Sequence, residues 1–233
     1  MSKKPNPHQD DPRNRVFDKN PVSGKAHFKD QVVLITGAGR GLGRAIAQAF
    51  AQQGAILAVN DLTPVNLDET VKIIRAAGGQ VRDYVFDISK KTPVQTMVQQ
   101  IQADWGRIEI LINNAAVSPQ AAILDMDEWD WHRTVDVNLG GPFFMLQVVG
   151  RVMREQGGGT IVNVAASEAW MGQLEKRAAF VASKTGLAGL TRAAAQELAA
   201  YGIRVHAVYP ADLDEGAASA ESVVQDVLAK CAP

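Results

Sequence analysis

The sequence has little of several features that mark specialised classes of protein. Cys231 is its only cysteine, so no disulfide can form within the chain, which is typical of a reducing compartment. No apolar run approaches the roughly 18 residues that a membrane-spanning helix needs, and the N-terminus has no apolar segment of the secretory type. The net charge of −1 gives no electrostatic reason to bind nucleic acid or an anionic membrane. We therefore expect a soluble, cytoplasmic protein that binds neither nucleic acid nor membranes.

Hydrophobic residues make up 46% of the 233 residues, enough for a sizeable core in a single domain. Residues 1–29 differ from the rest because prolines there lie among polar and charged residues. Such a segment cannot bury enough apolar surface to offset its ordering entropy, so we expect a flexible N-terminal extension. The alternative is an arm that packs on a neighbouring subunit through Val16, Phe17 and Phe28. The folded domain is expected over residues 30–233.

Short apolar runs alternate with amphipathic segments from residue 30 onward. Residues 32–35 are wholly apolar, as expected of a strand buried on both faces of a parallel sheet. The next segment places its apolar residues on one helical face and ends at Gly54. The repeated alternation predicts one α/β domain with a doubly wound, Rossmann-like parallel sheet. Further strands are predicted at 55–60, 81–86, 109–113, 160–165 and 203–208, and further helices at 65–77, 92–105, 127–154, 175–201 and 217–230.

The first strand leads into a glycine-rich turn over residues 36–43. Glycines let the backbone turn tightly and approach a diphosphate, while the N-terminus of the next helix offers free N–H groups. The spacing, with glycines at positions 37, 41 and 43, departs from the common G-x-G-x-x-G pattern. The location between a buried strand and an amphipathic helix nevertheless favours a dinucleotide site over a tight turn without a ligand.

The second predicted strand is followed by Asp61, whose carboxylate can accept hydrogen bonds from both hydroxyls of an adenosine ribose. The same carboxylate would repel a 2′-phosphate, which favours NAD over NADP. Arg40 favours NADP instead, since a cation in the turn can bind that phosphate. We give Asp61 more weight because its clash with the phosphate would be direct, and NAD is the predicted cofactor. The alternative for Asp61 is a solvated carboxylate at a strand end.

Several ordered motifs make residues 30–210 resemble the short-chain dehydrogenase/reductase family. The turn matches the family's T-G-x-x-x-G-x-G motif, residues 113–116 resemble its N-N-A-G motif, and Asn138 matches the asparagine that supports its proton relay. The resemblance implies an NAD(H)-dependent oxidoreductase for an alcohol/carbonyl pair, assembled as a homodimer or homotetramer. The predicted cofactor-binding residues are Gly37, Gly39, Arg40, Gly41, Leu42, Gly43, Asp61, Leu62, Asp87, Ile88, Asn114, Ala115, Ala116, Lys184 and Pro210.

The catalytic motif departs from the family's pattern. In the family, a Tyr-x-x-x-Lys motif carries the chemistry: the tyrosine is the general acid/base, and the lysine lowers its pKa and holds the nicotinamide ribose. Here Phe180 occupies the tyrosine position, and Lys184 is present. The serine that holds the substrate oxygen falls on Ala166 when counted from Asn163, and on Ser167 when counted back from Phe180. The predicted catalytic set is Asn138, Ser167, Phe180 and Lys184.

The C-terminal part also differs from the family, because Ala211 follows Pro210 where the family has glycine. One helix is expected where the family has a substrate-covering loop, further helices and a last strand. We therefore expect the final strand of the sheet to be missing and the substrate pocket to be more open.

Two functions remain open at this stage. One is an oxidoreductase in which Asn138, Ser167 and Lys184 manage the proton through water, or in which Tyr209 replaces the missing tyrosine. The other is a catalytically inactive pseudoenzyme that serves as a nucleotide-binding or partner-binding subunit. No cluster of residues has metal-ligand spacing, so no metal is predicted.

Overall fold

The computed structural model describes residues 27–166, 175–210 and 217–232. These residues contain one six-stranded parallel sheet in the order β3-β2-β1-β4-β5-β6, which confirms the predicted doubly wound α/β fold. Among the described residues no seventh strand follows β6, which lies at one edge of the sheet. The strands are β1 (Val32–Thr36), β2 (Ile56–Asp61), β3 (Gln80–Val85), β4 (Ile110–Asn113), β5 (Gly159–Val164) and β6 (Ile203–Val208).

Seven α-helices are present in the described ranges, and none of them is long and apolar enough to cross a membrane. Two helices end on a glycine in the left-handed conformation: Gly106 and Gly157 have φ of 79° and 87°. The helices are α1 (Gly41–Gln52), α2 (Pro64–Ala76), α3 (Lys91–Trp105), α4 (Glu128–Val135), α5 (Gly141–Gln156), α6 (Ala178–Leu198) and α7 (Ala217–Cys231).

The helices form two layers, one on each face of the sheet. Successive side chains of a strand point to opposite faces, so β1 contributes to both layers. Val33 and Ile35 belong to the apolar cluster that includes α1, α2 and α7, whereas Val32 and Leu34 belong to the cluster that includes α3, α5 and α6. Burial on both faces explains why the first strand is an uninterrupted apolar run in the sequence.

The core of the domain includes Phe28, which lies two residues before the predicted boundary at residue 30. Phe28 is only 1% exposed, and its ring centroid lies 4.8 Å from that of Phe50 on α1. Its backbone N–H donates to the carbonyl of Gln53 at 3.3 Å. The assignment of Phe28 to a flexible extension, or to an arm on a neighbouring subunit, is therefore wrong: this residue belongs to the core of its own domain.

The helix predicted over residues 127–154 is interrupted. A five-residue π-helical segment, Asp136–Gly140, separates α4 from α5. Pro142 has no N–H to donate to the carbonyl of Asn138 four residues earlier, so a regular α-helical ladder cannot pass through this point. The Asn138 side chain is completely buried and bonds to another part of the chain. A π segment inside a helix is frequent at functional sites, and this one holds a predicted catalytic residue.

Candidate functional site

A cavity of about 450 Å³ opens at the carboxyl ends of the strands. It lies between the ends of β1 and β4, because the chain runs from β1 to β2 on one side of this point and from β4 to β5 on the other. This is the usual place of a ligand in an open α/β sheet. Thirteen of the predicted site residues line its wall: Gly37, Arg40, Gly41, Leu42, Gly43, Asp61, Leu62, Asp87, Ile88, Asn114, Ala115, Ala116 and Phe180.

The glycine turn is held against the end of β4. The Asn114 side chain donates to the carbonyls of Thr36 and Gly37 at 3.0 and 3.1 Å. The hydroxyl of Thr36 accepts from the backbone N–H groups of Asn114 and Ala115. Gly37 has φ of 65°, and a Cβ there would lie 2.7 Å from the Cα of Ala115. The turn therefore requires glycine at position 37 because both its backbone conformation and its contact with β4 exclude a side chain.

Helix α1 begins directly after this turn and points its N-terminus at the cavity. Its N-cap is Arg40, which makes no side-chain capping bond, and its first turn contains no acidic residue. Gly41 and Gly43 line the cavity and bring no side chain between the backbone and a ligand. The N–H groups of the first turn and the helix dipole are thus available to an anion such as a diphosphate.

The carboxylate of Asp61, at the end of β2, is fixed on both oxygens. Its Oδ2 accepts from the backbone N–H of Gly39 at 3.0 Å, and its Oδ1 accepts from the N–H of Thr63 at 3.1 Å. Each carboxylate oxygen still has a further acceptor site. This side chain can therefore accept hydrogen bonds from a ligand without having to reorient.

A second acidic residue, Asp87, lies on the wall of the cavity beyond β3. It accepts hydrogen bonds from the N–H and the hydroxyl of Ser89 at 2.9 and 2.7 Å, and Arg133 of α4 lies 3.6 Å away. Partial burial raises the pKa of Asp87, but the bonds from Ser89 and the charges of Arg133 and Lys90 outweigh it. The pKa therefore lies below its ordinary value, and Asp87 is ionised at neutral pH.

Phe180 and Lys184 lie one turn apart on α6. Phe180 is 3% exposed and lines the cavity. The Nζ of Lys184 lies 5.9 Å from the centroid of the Phe180 ring and donates to the carbonyl of Val164 at 2.5 Å. Burial lowers the pKa of Lys184 to about 8. Lys184 thus has a pKa close to neutrality beside an aromatic ring that has no proton to exchange.

Asn138 connects the segment after β4 to helix α6. Its Oδ1 accepts from the N–H of Val117 at 2.8 Å, and its Nδ2 donates to the carbonyl of Val117 and to the hydroxyl of Ser183. Ser183 in turn donates to the carbonyl of Phe180 at 2.8 Å. This chain of hydrogen bonds holds the first turns of α6 against the wall of the cavity.

Four other predicted residues, Gly39, Asn138, Lys184 and Pro210, are not among the described residues that line the cavity. Pro210 is buried two residues after the end of β6, and Gly39 is a buried residue of the turn whose N–H donates to Asp61. Ser167 lies outside the described residues, whereas Ala166 is the last described residue before that gap. The choice between these two positions for the serine is therefore not tested. Tyr209 is 46% exposed. Within the described ranges, no group of three or more His, Cys, Asp or Glu residues could hold a metal ion.

Sequence reasoning missed four residues that shape the site: Thr36, Arg44, Arg133 and Ser183. Thr36 opens the recognised turn motif, so the motif itself contains a signal for it. Ser183 precedes Lys184 and could be found from the same helical motif. Arg44 and Arg133 contact residues that lie far away along the chain, and no local pattern indicates either contact.

A glycine turn at the switch point of a parallel sheet defines the class of Rossmann-like α/β proteins. The family model described as short chain dehydrogenase matches residues 31–225 of this chain. The chain therefore belongs to the short-chain dehydrogenase family, whose members are oxidoreductases that use nicotinamide cofactors and small-molecule substrates.

Individual relatives agree with this assignment. An uncharacterized oxidoreductase of Thermotoga maritima is 40% identical over 184 residues, which cover 79% of this chain and 72% of that protein. D-threitol dehydrogenase of Mycolicibacterium smegmatis is 37% identical over 180 residues, with coverages of 77% and 69%.

Solved structures show the same fold with either nicotinamide cofactor. NAD+-bound xylitol dehydrogenase matches with a TM-score of 0.75 and 35% identity over 78% of this chain and 70% of its own. A metagenomic short-chain oxidoreductase in complex with NADP matches with a TM-score of 0.79 and 28% identity, over 87% and 90% of the two chains.

Proposed function

We propose that the protein is an NAD(H)-binding oxidoreductase for an alcohol/carbonyl pair, with an impaired or altered proton relay. The observation that carries the proposal is the Asp61 carboxylate, held at the cavity wall by the N–H groups of Gly39 and Thr63. Beside it, the N-terminus of α1 offers its backbone to a diphosphate. A carboxylate at this point would accept hydrogen bonds from both ribose hydroxyls of NAD and would repel the 2′-phosphate of NADP.

The residues of the cavity fit a dinucleotide along its length. The turn and the start of α1 would hold the diphosphate, and Asp61 with Leu62 would hold the adenosine ribose. Asp87 and Ile88 would enclose the adenine, and Lys184 would hold the nicotinamide ribose, as the family resemblance implies. When bound, the nicotinamide supplies the hydride acceptor or donor.

The proton side of the reaction is where this chain is weakest. Phe180 has no exchangeable proton, and losing a general acid/base typically lowers a rate by ~10²–10⁴-fold. The Lys184 ammonium, one helical turn from Phe180, can still carry positive charge near a developing oxyanion. Residual turnover would therefore depend on water as the proton donor.

A pseudoenzyme is the second candidate function, and Phe180 is the observation that favours it. This ring is 3% exposed at the cavity wall, where an acid/base hydroxyl would be needed. In that case the fold binds a nucleotide or a partner and no turnover occurs. The activity of the wild-type protein distinguishes the two candidate functions, since only an oxidoreductase oxidises NADH in the presence of a carbonyl compound.

Asp61→Asn is expected to weaken NADH binding and strengthen NADPH binding, changing the ratio of their Kd values about 10- to 100-fold. The substitution keeps an acceptor oxygen but removes the charge that repels the 2′-phosphate. Fluorescence titration with each reduced cofactor measures the two Kd values. Asp68→Asn is the matched control, because Asp68 is an exposed residue of the neighbouring α2 and its loss changes net charge equally. An unchanged ratio in Asp61→Asn would refute the role given to Asp61.

We further propose that the chain assembles as a homodimer or homotetramer, as the family resemblance implies. Phe143 on α5 is 45% exposed, and α5 and α6 pack side by side. In the family, the helices that correspond to this pair form subunit contacts, and the resemblance implies the same use here. Light scattering on the purified protein is expected to give a mass of two or four chains, and a monomer at micromolar concentration would contradict this expectation.

A further inference from the structure

Arg44 of α1 makes several hydrogen bonds through Nε and Nη2, on the side of the glycine turn that faces α2. Its guanidinium donates to the carbonyl of Gly39 through Nη2 at 2.5 Å and through Nε at 3.2 Å. It also donates to the hydroxyl of Thr70 at 3.0 Å and pairs with Glu69 at 2.9 Å, both on α2. Arg44 is 8% exposed and is not among the described residues that line the cavity. A buried cation needs such partners, and here the principal one is the turn itself.

These bonds hold the carbonyl groups of the turn on the side that faces α2. Thr70 accepts from Arg44 and donates to the carbonyl of Ala38 at 2.9 Å, so two successive carbonyls of the turn are anchored to α1 and α2. The bonds from Arg44 to Gly39 are charge-assisted, which makes them stronger than neutral bonds. The turn cannot shift toward the cavity without breaking this network.

Gly39 transmits this restraint to Asp61. Its carbonyl accepts from Arg44, while its N–H donates to Oδ2 of Asp61. The contact is close, since a Cβ on Gly39 would lie 2.7 Å from the same carboxylate oxygen. The position of the carboxylate therefore depends on the position of the Gly39 residue, which Arg44 determines.

We propose that Arg44 is a positioning residue for cofactor selectivity, acting through Gly39 on the Asp61 carboxylate. This inference rests on the proposed NAD(H)-binding function and deepens it. A carboxylate held in one place accepts the ribose hydroxyls at little entropic cost and stays where it repels a 2′-phosphate. A carboxylate released by loss of Arg44 would turn away from the phosphate. Arg44 thus affects the two cofactors differently, although it touches neither.

The test compares Kd values of NADH and NADPH for wild type, Arg44→Met and Arg75→Met by fluorescence titration. Arg75 is the matched control, because it is an arginine on α2 that donates to the main-chain carbonyl of Val81, away from the turn. Arg44→Met is expected to raise the Kd of NADH about tenfold and that of NADPH less than about twofold. Arg75→Met is expected to change neither Kd.

A second variant covers the case in which Arg44→Met does not fold, as judged by circular dichroism. Arg44→Lys keeps the buried positive charge but loses the planar guanidinium that donates to the Gly39 carbonyl through two nitrogens. It is expected to lower the preference for NADH over NADPH by at least about fivefold.

Each outcome decides the inference. A lower NADH preference in Arg44→Met, or in Arg44→Lys when only that variant folds, supports it. If Arg44→Met lost affinity for both cofactors equally, Arg44 would only stabilise the turn. If neither affinity changed, Asp61 would be positioned without Arg44. Either result would overturn this inference and leave the proposed function standing. A wild type that binds neither cofactor would overturn the proposed function as well.

Discussion

Replacing Phe180 with tyrosine is expected to raise kcat/KM for NADH-dependent carbonyl reduction by about 10²- to 10⁴-fold. That factor is the usual contribution of a general acid/base, and it corresponds to about 3–5 kcal/mol of barrier. Phe180 lines the cavity, and the positively charged form of Lys184 lies 5.9 Å from its ring centroid. A phenol at this position would have a nearby cation to stabilise its phenolate form and lower its pKa.

The measurement is NADH consumption at 340 nm against a panel of aldehydes and ketones. Phe180→Leu is the control, because it changes the same side chain at the cavity wall without adding a hydroxyl. NADH affinity is expected to stay the same in both variants, since neither change affects the glycine turn. Equal activity of Phe180→Tyr and wild type would show that the proton does not pass through position 180.

Gly43→Ala is expected to weaken NADH binding by more than about 100-fold. A Cβ on Gly43 would overlap the carbonyl oxygen of Gly37 and lie 2.5 Å from Nδ2 of Asn114, so the turn or the end of β4 must move. Real Cβ atoms essentially never come so close to other atoms, and the movement would disturb the backbone that binds the diphosphate.

Gly189→Ala is the control for this substitution. It adds the same methyl group to α6, where no atom beyond the neighbouring backbone of the helix lies within 4 Å of the added Cβ. Since alanine favours a helix more than glycine does, this variant is expected to be as stable as wild type or slightly more stable. If Gly43→Ala bound NADH as tightly as wild type, the diphosphate would not lie on the turn.

The sequence was most informative where a pattern reflects local geometry. Residues 32–35 are apolar without interruption because β1 is buried on both faces, and the repeated alternation of such runs with amphipathic segments predicted the fold. The wall of the cavity was also largely predictable, because the turn, Asp61 and Asp87 all follow strands that end at the same edge of the sheet.

The sequence was least informative where structure depends on distant contacts. Asn138 interrupts its helix and bonds to Val117, and Phe28 enters the core against Phe50. Arg44 holds the turn together with α2, more than twenty residues along the chain. None of these partners lies within the window in which hydrophobic periodicity or turn chemistry is read.

Calorimetric titration of the wild-type protein with NADH and with NADPH tests the central claim most directly. We expect NADH to bind at the glycine turn with a Kd below about 1 mM, and NADPH to bind at least about tenfold more weakly because of Asp61. The absence of heat and of any thermal shift at millimolar NADH would contradict the assignment of this cavity to a dinucleotide.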